Sequence, residues 1–177
     1  MINLKKYAFR KYSEKFPLLF RMEKAKLRKI LPNAEIEHAG STSVPGLGGK
    51  GIIDVTVSVP RKYLTSAFLK LKKEGYNHRP SGGDKYRKFF QRIVKHHGDE
   101  RRIHVHLTYE NSRAWKAHIA IREYLRKHKD VAKKYSKIKK AGVRYAKGES
   151  LKYREYKDVF VKNLEKKALK EFKNLVL

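Results

Sequence analysis

His38-Ala39-Gly40-Ser41-Thr42-Ser43-Val44-Pro45-Gly46-Leu47-Gly48-Gly49-Lys50-Gly51-Ile52-Ile53-Asp54 is the stretch on which the fold turns. Ala34 to Ala39 reads as a short strand. Gly40 to Gly51 reads as a loop rich in Gly, Ser, Thr and Pro, and Ile52 to Val59 as a buried strand of mostly β-branched residues. A glycine followed by hydroxyl residues at a strand end offers unobstructed backbone N–H groups and side-chain donors, a concavity suited to phosphate oxygens. Loop composition alone does not separate this from an ordinary turn. Asp54 adds to it, because a carboxylate inside Ile52-Ile53-Asp54-Val55 needs a reason to be there.

Upstream, Pro17 sits where a first helical turn tolerates proline. Phe16, Leu19, Phe20, Leu27, Ile30 and Leu31 then recur at three-to-four spacing until Pro32, which predicts an amphipathic helix. Downstream, Pro60 to Glu74 carries Leu64, Phe68 and Leu71 on one helical face and ends at Gly75. Lys88 to Val94 and Arg101 to Tyr109 read as two strands of a hairpin, joined by a turn-like His96-His97-Gly98-Asp99-Glu100. From Ser112 the chain reads as helical: Ser112 caps a helix to about Lys129 and Asp130 caps a second to about Ala141. Gly142 to Ser150 separates a third, roughly Leu151 to Leu175. The expected class is α/β (α+β), a small mixed sheet flanked by helices with a helical C-terminal part. It is read as one domain over 1–177, with a helix and sheet core over about 1–110 and packed C-terminal helices over about 111–177.

The 177 residues hold 45 Lys plus Arg against 17 Asp plus Glu, a formal net charge of +28. A field of that sign draws polyanions, so the charge admits nucleic acid as a partner, and a solvated basic surface accounts for it equally well. Ile36 to Pro60 carries one basic residue, Lys50, against Glu37 and Asp54, so the central segment is kept clear of the charge. There is no cysteine, which excludes disulfides and thiolate metal sites. No apolar run is long enough to cross a bilayer, and Met1 to Lys15 lacks a signal-peptide core, so a soluble cytoplasmic protein without membrane partners is expected.

The block from His38 to Asp54 closely resembles the signature of the GrpB family, H-x-G-S-T-S-V-P-G-L-x-x-K-P-I-I-D, whose members have a nucleotidyltransferase-like fold. His104-Val105-His106-Leu107 looks like the family's histidine-bearing strand. Trp115, His118, Arg122, Tyr124 and Leu125 fall where it has W-x-x-H-L-x-F-R-D-Y-L, and Tyr153, Lys157, Phe160 and Val161 match its late Y-x-x-x-K-x-x-F-I element. Gly51, Ala39 and Glu123 depart from the pattern, replacing a proline, a bulkier aliphatic and an aspartate. The resemblance implies a Gly-Ser turn that holds phosphate and strand carboxylates that hold divalent metal, Mg²⁺ or Mn²⁺, with Zn²⁺ less expected.

One carboxylate, Asp54, is in register. Two residues on, on the same strand face, stands Thr56 rather than an acid, and His104 or His106 takes the third position. Two readings stay open. Asp54, His104 and His106, with Glu37 and His38 on the neighbouring strand, form a metal or acid/base site, for which imidazole plus carboxylate suits Mn²⁺, Fe²⁺ or Zn²⁺ more than Mg²⁺. Alternatively the histidines are polar residues of a half-exposed strand and catalysis is lost. Gly40, Ser41, Thr42, Ser43, Lys50, Arg122 and Lys157 are the candidates for phosphate or nucleotide binding. Lys157 interrupts the apolar stripe of Tyr153, Phe160, Val161 and Leu164, either pointing into a cleft or snorkelling at the stripe's edge. His118 and Arg122 share a helix face with Trp115 as a potential anion-binding edge, with Trp115 itself read as core. Arg87 and Arg92, around Phe89 and Phe90, suit either phosphate contact or an ordinary strand edge. The function expected is nucleotide or phosphorylated-ligand binding with nucleotidyl transfer. The alternative is a non-catalytic module that holds nucleotide or nucleic acid.

Overall fold

Alternation along two strands decides the layering. In a computed structural model, which describes residues 8–96 and 99–173, β1 (Glu35–Ala39) lies antiparallel to β2 (Ile53–Val59), which runs parallel to β5 (Asp99–Tyr109). The sheet is completed by β4 (Lys88–His96) and β3 (Asn77–His78), both antiparallel to their neighbours, in the order β1-β2-β5-β4-β3. On β2 and β5 the odd residues Ile53, Val55, Val57, Ile103, Val105 and Leu107 are fully buried, and the even ones are polar. Side chains alternate between faces, so the sheet has one oily face and one polar face.

The oily face is covered by α1 (Lys15–Ile30) and α2 (Leu64–Lys73), which contribute Phe16, Leu19, Leu27, Ala67 and Leu71 to one core. Each such large side chain stabilises the fold by about 1.5–3 kcal/mol when withdrawn from water. Pro17 stands in the first turn of α1, where its missing N–H costs nothing. The polar face is covered by α3 (Arg113–Lys127), with α4 (Lys129–Ala146) and α5 (Ser150–Glu171) packed against it around Ala120, Leu125, Leu164 and Ala168. The expected α+β class with a helical C-terminal part is observed.

The differences from expectation have local causes. Ser112 does cap α3, accepting from the Trp115 amide at 3.2 Å. Asp130 is not a cap; it lies in the first turn of α4, whose N-cap is His128. Gly142 does not end α4, which continues to Ala146. A Cβ at Gly142 would stand 3.0 Å from Tyr156 and 3.4 Å from Tyr153, so this glycine serves close helix packing rather than a break. His96, Asp99 and Glu100 belong to the paired strands rather than to the turn, whose remaining residues, 97 and 98, lie outside the described ones together with 174–177. The short strand β3 was not expected. Among the described residues no helix is long and apolar enough to cross a membrane.

Candidate functional site

Asp54 pairs directly with His104 across β2 and β5, and Thr56 with His106, so the polar face carries these four side chains in a block. His104 Nδ1 stands 3.3 Å and His106 Nε2 3.5 Å from the same oxygen, Asp54 Oδ1. Burial pushes the Asp54 carboxyl up. Hydrogen bonds from the two imidazoles outweigh it and hold the group well below the usual carboxylate range, so it is ionised at neutral pH.

The imidazole of His106 is fixed from its other side. Arg87 Nη1 donates to His106 Nδ1 at 2.9 Å, and a guanidinium can only donate. Burial keeps the ring neutral. Its single proton therefore sits on Nε2 and points at Asp54, which closes that nitrogen to a metal ion. Thr56, standing where an acid was sought, is hydrogen-bonded to His118 Nδ1 at 3.1 Å and so ties α3 to the sheet, and burial holds His118 well below its ordinary pKa. Among the described residues no group of three His, Asp or Glu side chains is arranged to hold a metal ion. The donor set does not fit the implied metal centre.

Above this block lies a cleft of about 710 Å³ between the polar face and α3 to α5. Gly40 and Ser41 line it, with Lys50, Asp54, Arg87, His104, His106, His118 and Lys157. Gly40 has φ +66, and a Cβ there would stand 2.2 Å from Asp54 Oδ2, so only glycine lets the turn close over the carboxylate. Ser41 leads a short 3-10 turn, Ser41–Ser43, beside it. The expected partners Gly40, Ser41, Asp54, His104, His106, Lys50 and Lys157 are thus brought together. Lys157 faces the cleft, with Nζ 5.8 Å from the Tyr153 ring centre and Lys50 Nζ 4.5 Å from the same ring.

Other candidates are placed elsewhere. Thr42 Oγ1 donates to the Ile52 carbonyl at 2.9 Å and is hydrogen-bonded to His38 Nε2 at 3.0 Å, while Ser43 Oγ donates to the Gly40 carbonyl at 2.6 Å. Both hydroxyls brace the loop from within. His38 is an even-numbered residue, but its antiparallel partner is Val55, so it lies on the oily face, stacked on Phe20 at 4.6 Å. Desolvation there lowers its pKa to about 4. Glu37 and Arg122 bind each other at 2.6 Å, and Arg122 also donates to the His38 carbonyl at 2.9 Å and to Glu123 at 2.6 Å. Arg122 therefore ties α3 to β1 in a separate groove that Trp115 also lines, and the expected His118–Arg122 edge is divided between two cavities. Arg92 lies on the far face, 3.8 Å from the buried Glu23.

Sequence reasoning missed Lys139. It is 3% exposed, lines the cleft from α4, and its Nζ has no hydrogen-bond partner among the described residues. Burial, with the neighbouring Lys157, lowers its pKa to about 7. The signal was present: Ala132, Tyr135, Lys139, Gly142 and Ala146 recur at alternating spacings of three and four, a buried seam with a lysine in its middle.

Comparison with known proteins bears on the family and the fold. The family model described as GrpB protein matches residues 7–167. UPF0157 protein YqkA of Bacillus subtilis is 32% identical over 160 residues, covering 89% of this chain, which spans only 46% of the Bacillus protein. The crystal structure of conserved protein GrpB from Enterococcus faecalis superposes with a TM-score of 0.79 at 31% identity, over 93% of this chain and 99% of that one. A fainter likeness, TM-score 0.42 at 16% identity over 70% of this chain and 44% of that one, is to the Cid1 poly(U) polymerase. On the match of model, sequence and fold along nearly its whole described length, the chain belongs to the GrpB family.

Proposed function

We propose that this chain binds a nucleotide, or another phosphorylated small molecule, in the cleft between the sheet and α3 to α5, with phosphate against the Gly40–Ser41 turn. The observation that carries the reading is the closure of that turn over Asp54, where only a glycine fits. It puts a serine hydroxyl, a bare backbone and an ionised carboxylate at one point of a cleft that Lys50 and Lys157 also line. Phosphate is matched by the hydroxyl and the ammonium groups. Asp54, held ionised, accepts a hydrogen bond from a ligand hydroxyl, and its imidazole partners fix its direction. A carboxylate held so far down is a poor proton acceptor, so the geometry supports binding more than turnover. Were a reaction catalysed, nucleotidyl or phosphoryl transfer is the class such a ligand would serve.

Isothermal titration with ATP and ADP in EDTA, and again with Mg²⁺ or Mn²⁺, tests the reading. Binding is expected in EDTA, weakened about 3- to 10-fold by Ser41→Ala, the worth of about one hydrogen bond. Asp54→Asn is expected to tighten phosphate binding in EDTA by removing a like charge. Weaker binding of that variant in Mn²⁺ alone would instead place an ion on Asp54. No heat from the wild type with any of these ligands, with or without metal, would end the proposal.

A second reading has its own support. The net charge of +28 is accompanied by exposed Tyr86 at the cleft and by the exposed pair Tyr145 and Tyr156, whose rings are 5.3 Å apart. Cationic surface with accessible rings suits single-stranded nucleic acid. That binding would fall steeply with salt and be indifferent to Asp54→Asn, whereas cleft binding of a nucleotide depends on Ser41.

A further inference from the structure

A buried ammonium with no acceptor is an expensive thing for a fold to keep. Lys139 is in that position: 3% exposed, held by α4 against the Tyr135 ring with Nζ 4.5 Å from its centre, and part of the wall of the cleft. Gly49 shows where the amine points. A Cβ on Gly49 would stand 2.6 Å from Ser41 Oγ and 3.2 Å from Lys139 Nζ, so hydroxyl and amine flank a single backbone position. Lys157 and Lys50 reach the same cleft beside the Tyr153 ring. The amines stand in two places, Lys139 with Ser41 about Gly49 and Lys157 with Lys50 at the Tyr153 ring, so a ligand that meets both carries more than one phosphate group.

The geometry points to Lys139 as the anchoring cation of a diphosphate subsite on the helical wall of the cleft, where one phosphate lies between its amine and Ser41 and the next reaches Lys157 and Lys50. This rests on the reading of the cleft as a phosphate site and sharpens it: the ligand carries at least two linked phosphates, as a nucleoside diphosphate or triphosphate does. The groups that face the amine are Lys157 and Tyr153 from α5, Asp54 from β2, Lys50 from the loop before β2, and Tyr135 from α4 itself. Of these only Asp54 is anionic at neutral pH, and burial together with Lys157 opposes protonation. A bound diphosphate reverses that balance. The amine, largely neutral at pH 8 in the free protein, is protonated in the complex, and binding takes up a proton from the buffer.

The experiment is calorimetric titration of ADP, AMP and pyrophosphate at pH 8, where the terminal phosphate of ADP, with its second pKa of about 6, is already almost fully ionised. It is repeated in two buffers of different ionisation enthalpy. The wild type is expected to bind ADP and pyrophosphate more tightly than AMP and to take up close to one proton with ADP. Lys139→Met is expected to weaken ADP by about 10- to 100-fold, the worth of a charge-assisted hydrogen bond, and to abolish the buffer dependence. Lys134→Met, on the exposed face of the same helix, is expected to change neither. Equal ADP affinity and proton uptake in wild type and Lys139→Met overturns the subsite while leaving the phosphate reading intact. Equal losses in Lys134→Met and Lys139→Met overturn it in favour of overall charge. Absence of all phosphate binding by the wild type overturns both.

Discussion

Gly40 and Asp54 constrain each other tightly at the scale of single residues. A methyl group at Gly40 would meet the carboxylate at 2.2 Å and force a side chain to adopt φ +66. Gly40→Ala is expected to cost about 1–3 kcal/mol, read as a fall in Tm of about 2–4 °C per kcal/mol, and to push Asp54 off its two histidines. An unchanged melting temperature would show that the carboxylate is not packed against the turn. Asp54, His104 and His106 are legible in the amino-acid sequence because strand alternation puts polar residues on one face, and Gly40 and Ser41 because their loop carries the Gly-Ser signature. Thr42, Ser43, His38 and Arg122 are not. Each has the right chemistry at the right sequence distance, but side-chain direction there is set by partners that sequence does not display: the Ile52 carbonyl, the Phe20 ring and the Glu37 carboxylate.

At the scale of elements, α3 is the wall that separates two cavities. His118 faces the sheet through Thr56, and Arg122 clasps β1 through Glu37 and the His38 carbonyl. Arg122→Met leaves that carbonyl without its charged donor. It is expected to destabilise the protein by about 1.5–3 kcal/mol in thermal or urea unfolding, with ADP affinity unchanged. A selective loss of ADP binding with stability intact would return Arg122 to the ligand site. The C-terminal helices show why sequence reading falls short at glycine. Gly142 is a breaker by propensity, yet in α4 it makes room for Tyr153 and Tyr156 of α5. Ending the helix at Ala141 cuts the seam of Ala132, Tyr135, Lys139, Gly142 and Ala146 in two, and with it goes the pattern that marks Lys139 as inward-facing.

For the molecule as a whole, charge is the governing quantity, and one buried amine lets its internal cost be measured. Lys139 has a pKa near 7 in the folded protein against an ordinary value of 10.5. Between those values the unfolded chain holds a proton that the folded one does not, so stability rises as pH climbs through the window, and below 7 the burial penalty is fully present. Lys139→Met is therefore expected to melt several degrees above the wild type at pH 6, with the advantage shrinking toward pH 9. A constant difference across that range would mean that the amine does not titrate there. The sheet order carries a further consequence, for time rather than for energy. β2 and β5 pair in parallel, and the chain between them forms α2, β3 and β4 before it returns. Such a pairing must close a long loop before any of its contacts is made, and that entropic cost is expected to slow its formation. Asp54 meets His104 and His106 only when that loop closes, so the carboxylate takes its partners from a distant part of the chain, and a chain in which that pairing has not formed has its sequence motifs intact and no site.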